Sequence, residues 1–391
     1  MTFRRLLFWL HLATGLTVGL VIVFLAITGA IMTFQPQIIA WAERSARVVS
    51  PVSHPCAEPS TVLKNAADFE HEVPTELTLF SDPHRPAEVA FGTRAYVLVN
   101  SCDGNVIGPG NRLRNFFQQT RDLHRWIAFQ GVRHETLRRI KNIAVLGFFC
   151  LIVSGLVIWF PRKLTWQHLR PAIFFRGSLL GRAREWNWHN VFGFWMSLPL
   201  AVIALSGIIM AYPWANALLY RAAGDTPPAA RAELEPKRPK PLAVEKFPTL
   251  NAVIAQATIQ DPKWKMLSMR LPADKDPNVL FTLDEGDGSR PQDRAQLVLT
   301  REKGQVVRWE PFSKNVRGRR WRLYARFLHT GEIFGAVGRS VALLAMLSLL
   351  MLVWTGFSLS VRRLAAWKTR KATHRKTMIR KKTESPQTVR I

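Results

Sequence analysis

This chain has few acidic residues, few cysteines and none of the signatures of enzymes that work through nucleotides or activated nucleophiles. Its 391 residues carry 27 Asp and Glu against 54 Lys and Arg, and three cysteines. No strand-linked G-x-G-x-x-G fingerprint occurs, because Gly104, Gly108 and Gly110 are wrongly spaced for one. Walker, H-E-x-x-H and nucleophile-elbow patterns are also missing, which argues against nucleotide hydrolysis, zinc proteolysis and serine-type acyl transfer. Any electrons that cross the protein must therefore come from another protein, a quinol or a soluble reductant. No cysteine has metal-ligand spacing. Cys150 lies in an apolar run as a packed small residue, whereas Cys56 and Cys102 share one polar segment, where an oxidising compartment leaves a disulfide open to them. No small-x-small cleavage site follows the first apolar run, which is also too long for a signal peptide and is expected to remain as an uncleaved helix.

What is abundant is hydrophobic sequence in four long blocks, expected as transmembrane helices at 6–34, 140–160, 188–212 and 338–361. The formal charge of +27 would suggest nucleic acid in a soluble protein, but its distribution gives another reading. With the N-terminus inside, residues 1–5, the loop 161–187 and the tail 362–391 together hold 19 Lys and Arg against only Glu185 and Glu384. Such a positive-inside bias orients a four-pass protein of a bacterial inner membrane with both termini in the cytoplasm. The basic tail then contacts anionic lipid, and no nucleic acid is expected as a partner. The many tryptophans, Trp41, Trp126, Trp214 and Trp321 outside with Trp9, Trp186, Trp188 and Trp367 inside, fit an aromatic belt.

The chain also repeats itself. His11, Gly15 and Thr28-Gly29 return as His189, Gly193 and Ser206-Gly207, each histidine 18 residues before its glycine. Leu123-His124 precedes the apolar run ending Ser154-Gly155, and Leu328-His329 precedes the one ending Thr355-Gly356. The fold class expected is thus a polytopic α-helical membrane protein, with four transmembrane helices in two tandem repeats and two periplasmic α+β modules. The first module spans 37–115, followed by an amphipathic segment 116–139; a Pro-rich linker 213–248 leads to the second module at 249–316 and its amphipathic segment 317–337. Within the modules, Pro59 to Phe69 and Leu250 to Gln260 read as short helices. Val97-Leu98-Val99 through Ile107, and Leu297-Val298-Leu299 through Val307, read as strand pairs with a Gly-containing turn.

Ionisable groups inside membranes are costly and usually functional, and neutral imidazole is a common metal ligand. His11 and His189 start the first and third spans, while His124 and His329 precede the second and fourth on the external side. The 22 steps from His11 to Thr33 cover roughly 33 Å of helix, so one imidazole pair is expected near each membrane face. Two histidines facing each other in a helical bundle can hold haem iron from both sides, which favours electron transfer over oxygen binding. Gly15 and Gly193, four residues after their histidines, would make room for a flat macrocycle, although close helix packing is the plainer use of such residues. His134, ten residues after His124, is the rival ligand. His54, His71, His84, His168 and His374 sit among polar or basic residues and are read as solvated. External arginines, including Arg133, Arg138, Arg317, Arg319, Arg320, Arg322, Arg326 and Arg339, would neutralise haem propionates, attract an anionic substrate or contact lipid headgroups.

These features resemble the PepSY-associated transmembrane-helix family, which includes iron-regulated inner-membrane proteins and di-haem ferrisiderophore reductases. The carriers are His11-Leu12-x-x-Gly15-Leu16 with Thr28-Gly29, Leu123-His124-Arg125, Ser154-Gly155-Leu156-x-x-Trp159 with Pro161-Arg162-Lys163, Trp188-His189-Asn190-x-x-Gly193, and Leu328-His329-Thr330-Gly331-Glu332-Ile333-Phe334-Gly335 with Gly338-Arg339. After His124 the family's Gly-x-x-Gly-Arg continuation is disturbed, since Gln130-Gly131-Val132-Arg133 runs into His134-Glu135. The resemblance implies two PepSY-like modules, two b-type haems on His11 with His189 and on His124 with His329, and reduction of a ferric siderophore or other ferric chelate. The donor would be a quinol or a reductase. A haem-free scaffold binding a protein partner and a quinol-linked subunit of another periplasmic enzyme are the competing expectations. The charge pattern makes a direct prediction: alkaline phosphatase fused after residue 110 or 300 is active, and fused after 175 or 390 inactive. Activity at 175 would invert the topology.

Overall fold

The computed structural model describes residues 3–47, 56–92, 95–125, 132–161, 165–228 and 241–383. In chain order the helices are α1 (Phe3–Met32), α2 (Gln35–Ala42), α3 (Arg44–Arg47), α4 (Pro59–Glu70), α5 (Arg112–Arg125), α6 (Val132–Trp159), α7 (Trp166–Ile173), α8 (Gly181–Ala211), α9 (Pro213–Ala222), α10 (Leu250–Gln260), α11 (Arg317–Thr330) and α12 (Gly335–Thr383). The strands β1 (Glu76–Phe80), β2 (Ala87–Phe91), β3 (Ala95–Val99) and β4 (Val106–Pro109) follow α4, and β5 (Met266–Arg270), β6 (Asn278–Asp284), β7 (Arg294–Thr300) and β8 (Val306–Pro311) follow α10. Four helices, within α1, α6, α8 and α12, are long and apolar enough to cross a membrane.

All four helices start or end beyond the expected spans, α1 by only three residues at Phe3, and local composition explains the longer extensions of the other three. α6 begins at Val132, where no Gly or Pro interrupts and Glu135 bonds Arg138 and Arg139 one turn on. α8 begins at Gly181 and α12 runs on to Thr383, because the basic stretches beside these spans are built from Arg, Ala, Lys and Trp without a helix breaker. The expected linker 213–248 is partly ordered: Pro213 occupies the first turn of α9, and Tyr220 is buried. Its residues 229–240 lie outside the described residues, as do His54, Trp126 and the disturbed Gln130-Gly131.

The chain divides into two compact units. One comprises Met1–Ile27, Ile143–Ala204 and Leu344–Ile391; the other comprises Thr28–Asn142 and Leu205–Leu343. In the first, Glu185 of α8 is buried and accepts hydrogen bonds from Ser358 (2.9 Å) and Arg362 (3.1 Å) of α12. The Trp159 and Trp195 indoles donate to the Ala172 and Ile173 carbonyls, so α6 and α8 both hold α7. The basic loop is thereby structured.

In the second unit the two expected modules are one object. All eight strands form a single antiparallel sheet in the order β4-β3-β2-β1-β5-β6-β7-β8, with the halves joined where Leu77 faces Met269 and Leu79 faces Leu267. Each half is a helix followed by a four-stranded meander, twice the number of strands expected. β1, β2, β5 and β6 went unmarked because they lack the Gly-turn spacing that revealed β3–β4 and β7–β8. Alternate residues Val279, Phe281, Leu283, Leu297 and Leu299 are fully buried against α4 and α10, and each large aliphatic among them stabilises the sheet by about 1.5–3 kcal/mol. Joining the halves through β1 and β5 removes two exposed edges, which is the physical reason for one sheet rather than two.

Cys56 and Cys102 meet in this unit with their Sγ atoms 3.3 Å apart, Cys102 buried and Cys56 exposed. Closing that 46-residue separation would stabilise the folded chain by about 4 kcal/mol on loop entropy alone. After exposure to an oxidised dithiol, intact protein is expected to lose two hydrogens and both residues to resist alkylation until reduced. Free alkylation of both after oxidation refutes the pairing.

Candidate functional site

The four repeated histidines share one arrangement. In the first unit His11 Nδ1 lies 2.9 Å from Ser154 Oγ, and His189 Nδ1 lies 2.9 Å from Thr355 Oγ1. In the second, His124 Nδ1 lies 2.8 Å from Thr28 Oγ1, and His329 Nδ1 lies 3.1 Å from Ser206 Oγ. Each unit therefore contains two of the repeated histidines, and each of these is held by a hydroxyl from another helix. The hydroxyls belong to the very dipeptides that repeat in the sequence, Thr28-Gly29, Ser154-Gly155, Ser206-Gly207 and Thr355-Gly356.

Hydrogen bonding fixes the ring chemistry in the first unit. Ser154 Oγ donates its one proton to the Cys150 carbonyl at 2.6 Å, and Thr355 Oγ1 donates to the Met351 carbonyl at 2.7 Å. An oxygen whose proton is committed in this way accepts from the imidazole, so Nδ1 carries the hydrogen and Nε2 keeps its lone pair. That tautomer is the one a ligand to iron needs. The following glycines make the approach possible: a Cβ on Gly155 would stand 3.2 Å from His11 Cε1, and one on Gly356 would stand 3.3 Å from His189 Cε1. These ring contacts are tighter than ordinary packing, so a side chain there would displace the imidazole.

Gly15 and Gly193 behave differently. A Cβ on either would meet only one distant methyl, Leu151 Cδ2 at 3.9 Å or Leu352 Cδ2 at 3.7 Å, so helix packing does not itself demand glycine there. Space beside the histidine is what these residues leave. His11 and His189 are also close enough for the charge of one to act on the other. Among the described residues no three His, Cys, Asp or Glu side chains converge as a bare metal ion would require. A pair of histidines suffices only for a metal whose other ligands come with it, as the porphyrin nitrogens do for haem iron.

The second unit adds arginine. Arg339 is buried at the start of α12, and its Nε meets no acceptor among the described residues. Its place follows from glycine: Gly331 ends α11 at φ 73°, and a Cβ on it would lie 2.5 Å from the Gly338 carbonyl oxygen, so the turn carrying His329 packs onto the backbone carrying Arg339. Arg121 and Arg326 stand three residues ahead of His124 and His329, one helical turn away on α5 and α11. Arg121 bonds Gln35 at 3.0 Å. Arg326 is exposed as a residue, yet crowding by protein atoms, and then the charge of Arg294, draws its pKa below the ordinary arginine value. Arg125 is drawn down by the same crowding and by Arg121. A buried cation lacking one acceptor, in a unit that also holds guanidiniums repelling one another, fits an anionic group such as a haem propionate.

His134 has no hydroxyl partner among the described residues, which sets it apart from His124. His168 bonds Thr165 at 2.6 Å in the loop, and His71 caps α4 in the left-handed region, as solvated histidines do. Arg114, unremarked in the sequence, anchors α5 through Glu43 at 2.6 Å and Glu88 at 2.9 Å. Burial opposes its charge, but the two carboxylates outweigh that and hold its pKa above the ordinary arginine value. The sequence also gave no role to the four hydroxyls, although their repetition beside glycine was the available signal.

With this geometry in place, the family comparison is direct. The model for the PepSY-associated TM region matches residues 8–363, nearly the whole chain, and the protein belongs to that family of membrane proteins. A search of the curated proteins finds no similar chain.

The hydroxyl role has a direct test. Thr355→Ala removes the hydroxyl that accepts from the buried His189 Nδ1–H and is expected to cost about 1–3 kcal/mol of stability, whereas Thr355→Ser restores it. Thermal unfolding in detergent measures both, and an Ala variant as stable as wild type removes the bond from the account.

Proposed function

We propose that the protein is an inner-membrane di-haem electron-transfer protein, a tandem duplication in which His11 with His189 and His124 with His329 each hold one b-type haem. The observation that carries this reading is the fourfold imidazole–hydroxyl bond, which orients each ring and, at His11 and His189, leaves Nε2 as the free nitrogen. Haem, when bound, supplies reversible one-electron chemistry at an iron with no open position. The chain's own residues orient the imidazoles, leave room at Gly15 and Gly193, and offer Arg339 with Arg121 and Arg326 to propionates.

The acceptor class favoured is a ferric siderophore or another ferric chelate in the periplasm, where reduction to ferrous iron loosens the chelate. The positive-inside charge pattern supports that side for the sheet and a cytoplasmic side for both termini. A quinol or a reductase serves as donor. No side chain need act as acid, base or nucleophile, in keeping with the absence of those motifs.

Purified protein is expected to show a b-type spectrum with two haems per chain. His189→Ala and His329→Ala each halve the haem content, and the double variant abolishes it. A natively folded, haem-free protein refutes the proposal and leaves the scaffold reading; reduction by quinol with no oxidation by ferric chelates favours the subunit reading.

A further inference from the structure

The second unit holds a groove of about 710 Å³ between α11 and the face of β6–β8 opposite the helix-packed core, and of its arginines only Arg326 is also offered to a haem propionate. Four arginines line it, Arg319, Arg322 and Arg326 from one face of α11 and Arg308 from β8, over an apolar floor that includes Leu280 and Leu323. Its size falls within the roughly 300–1,000 Å³ usual for small-molecule sites.

The charges do not cancel. Among the described residues Glu310 is the one carboxylate that pairs with them, 3.0 Å from Arg319 and 3.6 Å from Arg308. Arg322 instead bonds the neutral Asn216 Oδ1 at 2.5 Å, and the Arg326 guanidinium has no carboxylate or carbonyl partner among the described residues. Spacing of three and four residues along α11 puts its three guanidiniums side by side, an arrangement that repels itself unless an anion lies among them. A lipid-facing row of arginines would need α11 alone; here strands supply a cation, a polar Gln296 and part of the floor, giving a walled groove. Arg326 also stands one helical turn from His329, so the groove ends beside the histidine assigned to the outer haem.

We propose that this groove binds the electron acceptor, and that the acceptor is an anionic ferric chelate with carboxylate or catecholate donors and apolar flanks, in preference to a neutral or cationic hydroxamate complex. The inference rests on the haem-protein reading for the reaction alone. One electron passes from the reduced protein to Fe(III), giving Fe(II), and no covalent bond forms or breaks.

Binding is separable from electron transfer by using gallium(III), which occupies the same chelates without being reduced. Full-length protein in detergent is titrated with gallium tris-catecholate and with a neutral gallium trihydroxamate, following tryptophan fluorescence. The anionic complex is expected to bind at least about tenfold tighter, with affinity falling as salt rises, and Arg308→Gln with Arg322→Gln to remove that advantage while Arg322→Lys keeps most of it. Unfolding temperature and haem absorbance of the double variant stay at wild-type values. Equal affinity for the two complexes, an unaffected double variant, loss of haem from that variant, or displacement of the chelate by anionic phospholipid overturns the assignment. A haem-free protein that still discriminates the gallium complexes leaves the groove standing and removes only the redox reading.

Discussion

The hydrogen bond between an imidazole Nδ1 and a hydroxyl on a different helix is the interaction on which the rest of this structure depends. A histidine in an apolar helix is expensive, and one whose ring can rotate is of little use to a metal. Ser154 and Thr355 solve both problems in the same way: the hydroxyl satisfies the ring, and its own proton goes to the carbonyl one turn back, so the direction of the bond is settled by the helix rather than by solvent. The adjoining glycine then lets the ring lie against the helix, as the close approach of His11 to Gly155 and His189 to Gly356 shows. Helix packing, tautomer and ring placement are thus one constraint.

That constraint explains why so much of the site was legible without coordinates. A histidine repeated 18 residues before a hydroxyl–glycine dipeptide has few structural reasons to recur, which marked His11 and His189, while His124 and His329 stood out because each follows a leucine ahead of an apolar run that ends in such a dipeptide. The partners were harder to assign, because the bond to His11 comes from Ser154, 143 residues away, and nothing in local periodicity tells which hydroxyl meets which ring. The sheet was legible only where a Gly turn announced a strand pair. Its joining through β1 and β5 depends on backbone edges, which leave no mark in side-chain pattern. Helix ends were misjudged where charged but breaker-free sequence continues a span, as at Val132 and after Ser360.

Two kinds of arginine emerge, and burial with partnership separates them. Arg114 is sunk between Glu43 and Glu88, fully answered, and serves as a structural tie between α5 and the sheet. Arg339 is equally buried but incompletely answered, which is costly in a folded chain without a ligand. In the repeat, Arg114 corresponds to Arg319, and the change of partners is informative: Arg319 shares Glu310 with Arg308 instead of holding two carboxylates of its own. One half thus spends its arginine on holding the helix down, while the other leaves positive charge uncovered.

Under the proposed electron-transfer function, the asymmetry between halves bears on direction of flow. A perfectly duplicated conduit would offer equivalent surfaces at α5 and α11, and an acceptor would have no reason to choose. Here α5 is closed against the sheet by the Arg114 network, whereas α11 stands over an open groove whose guanidiniums exceed their counter-charges. The excess sits on the helix that carries His329, within one turn of its ring. An anion drawn by that field would be delivered to the histidine end of α11 rather than α5, so the two halves differ in the charges around a shared imidazole–hydroxyl core.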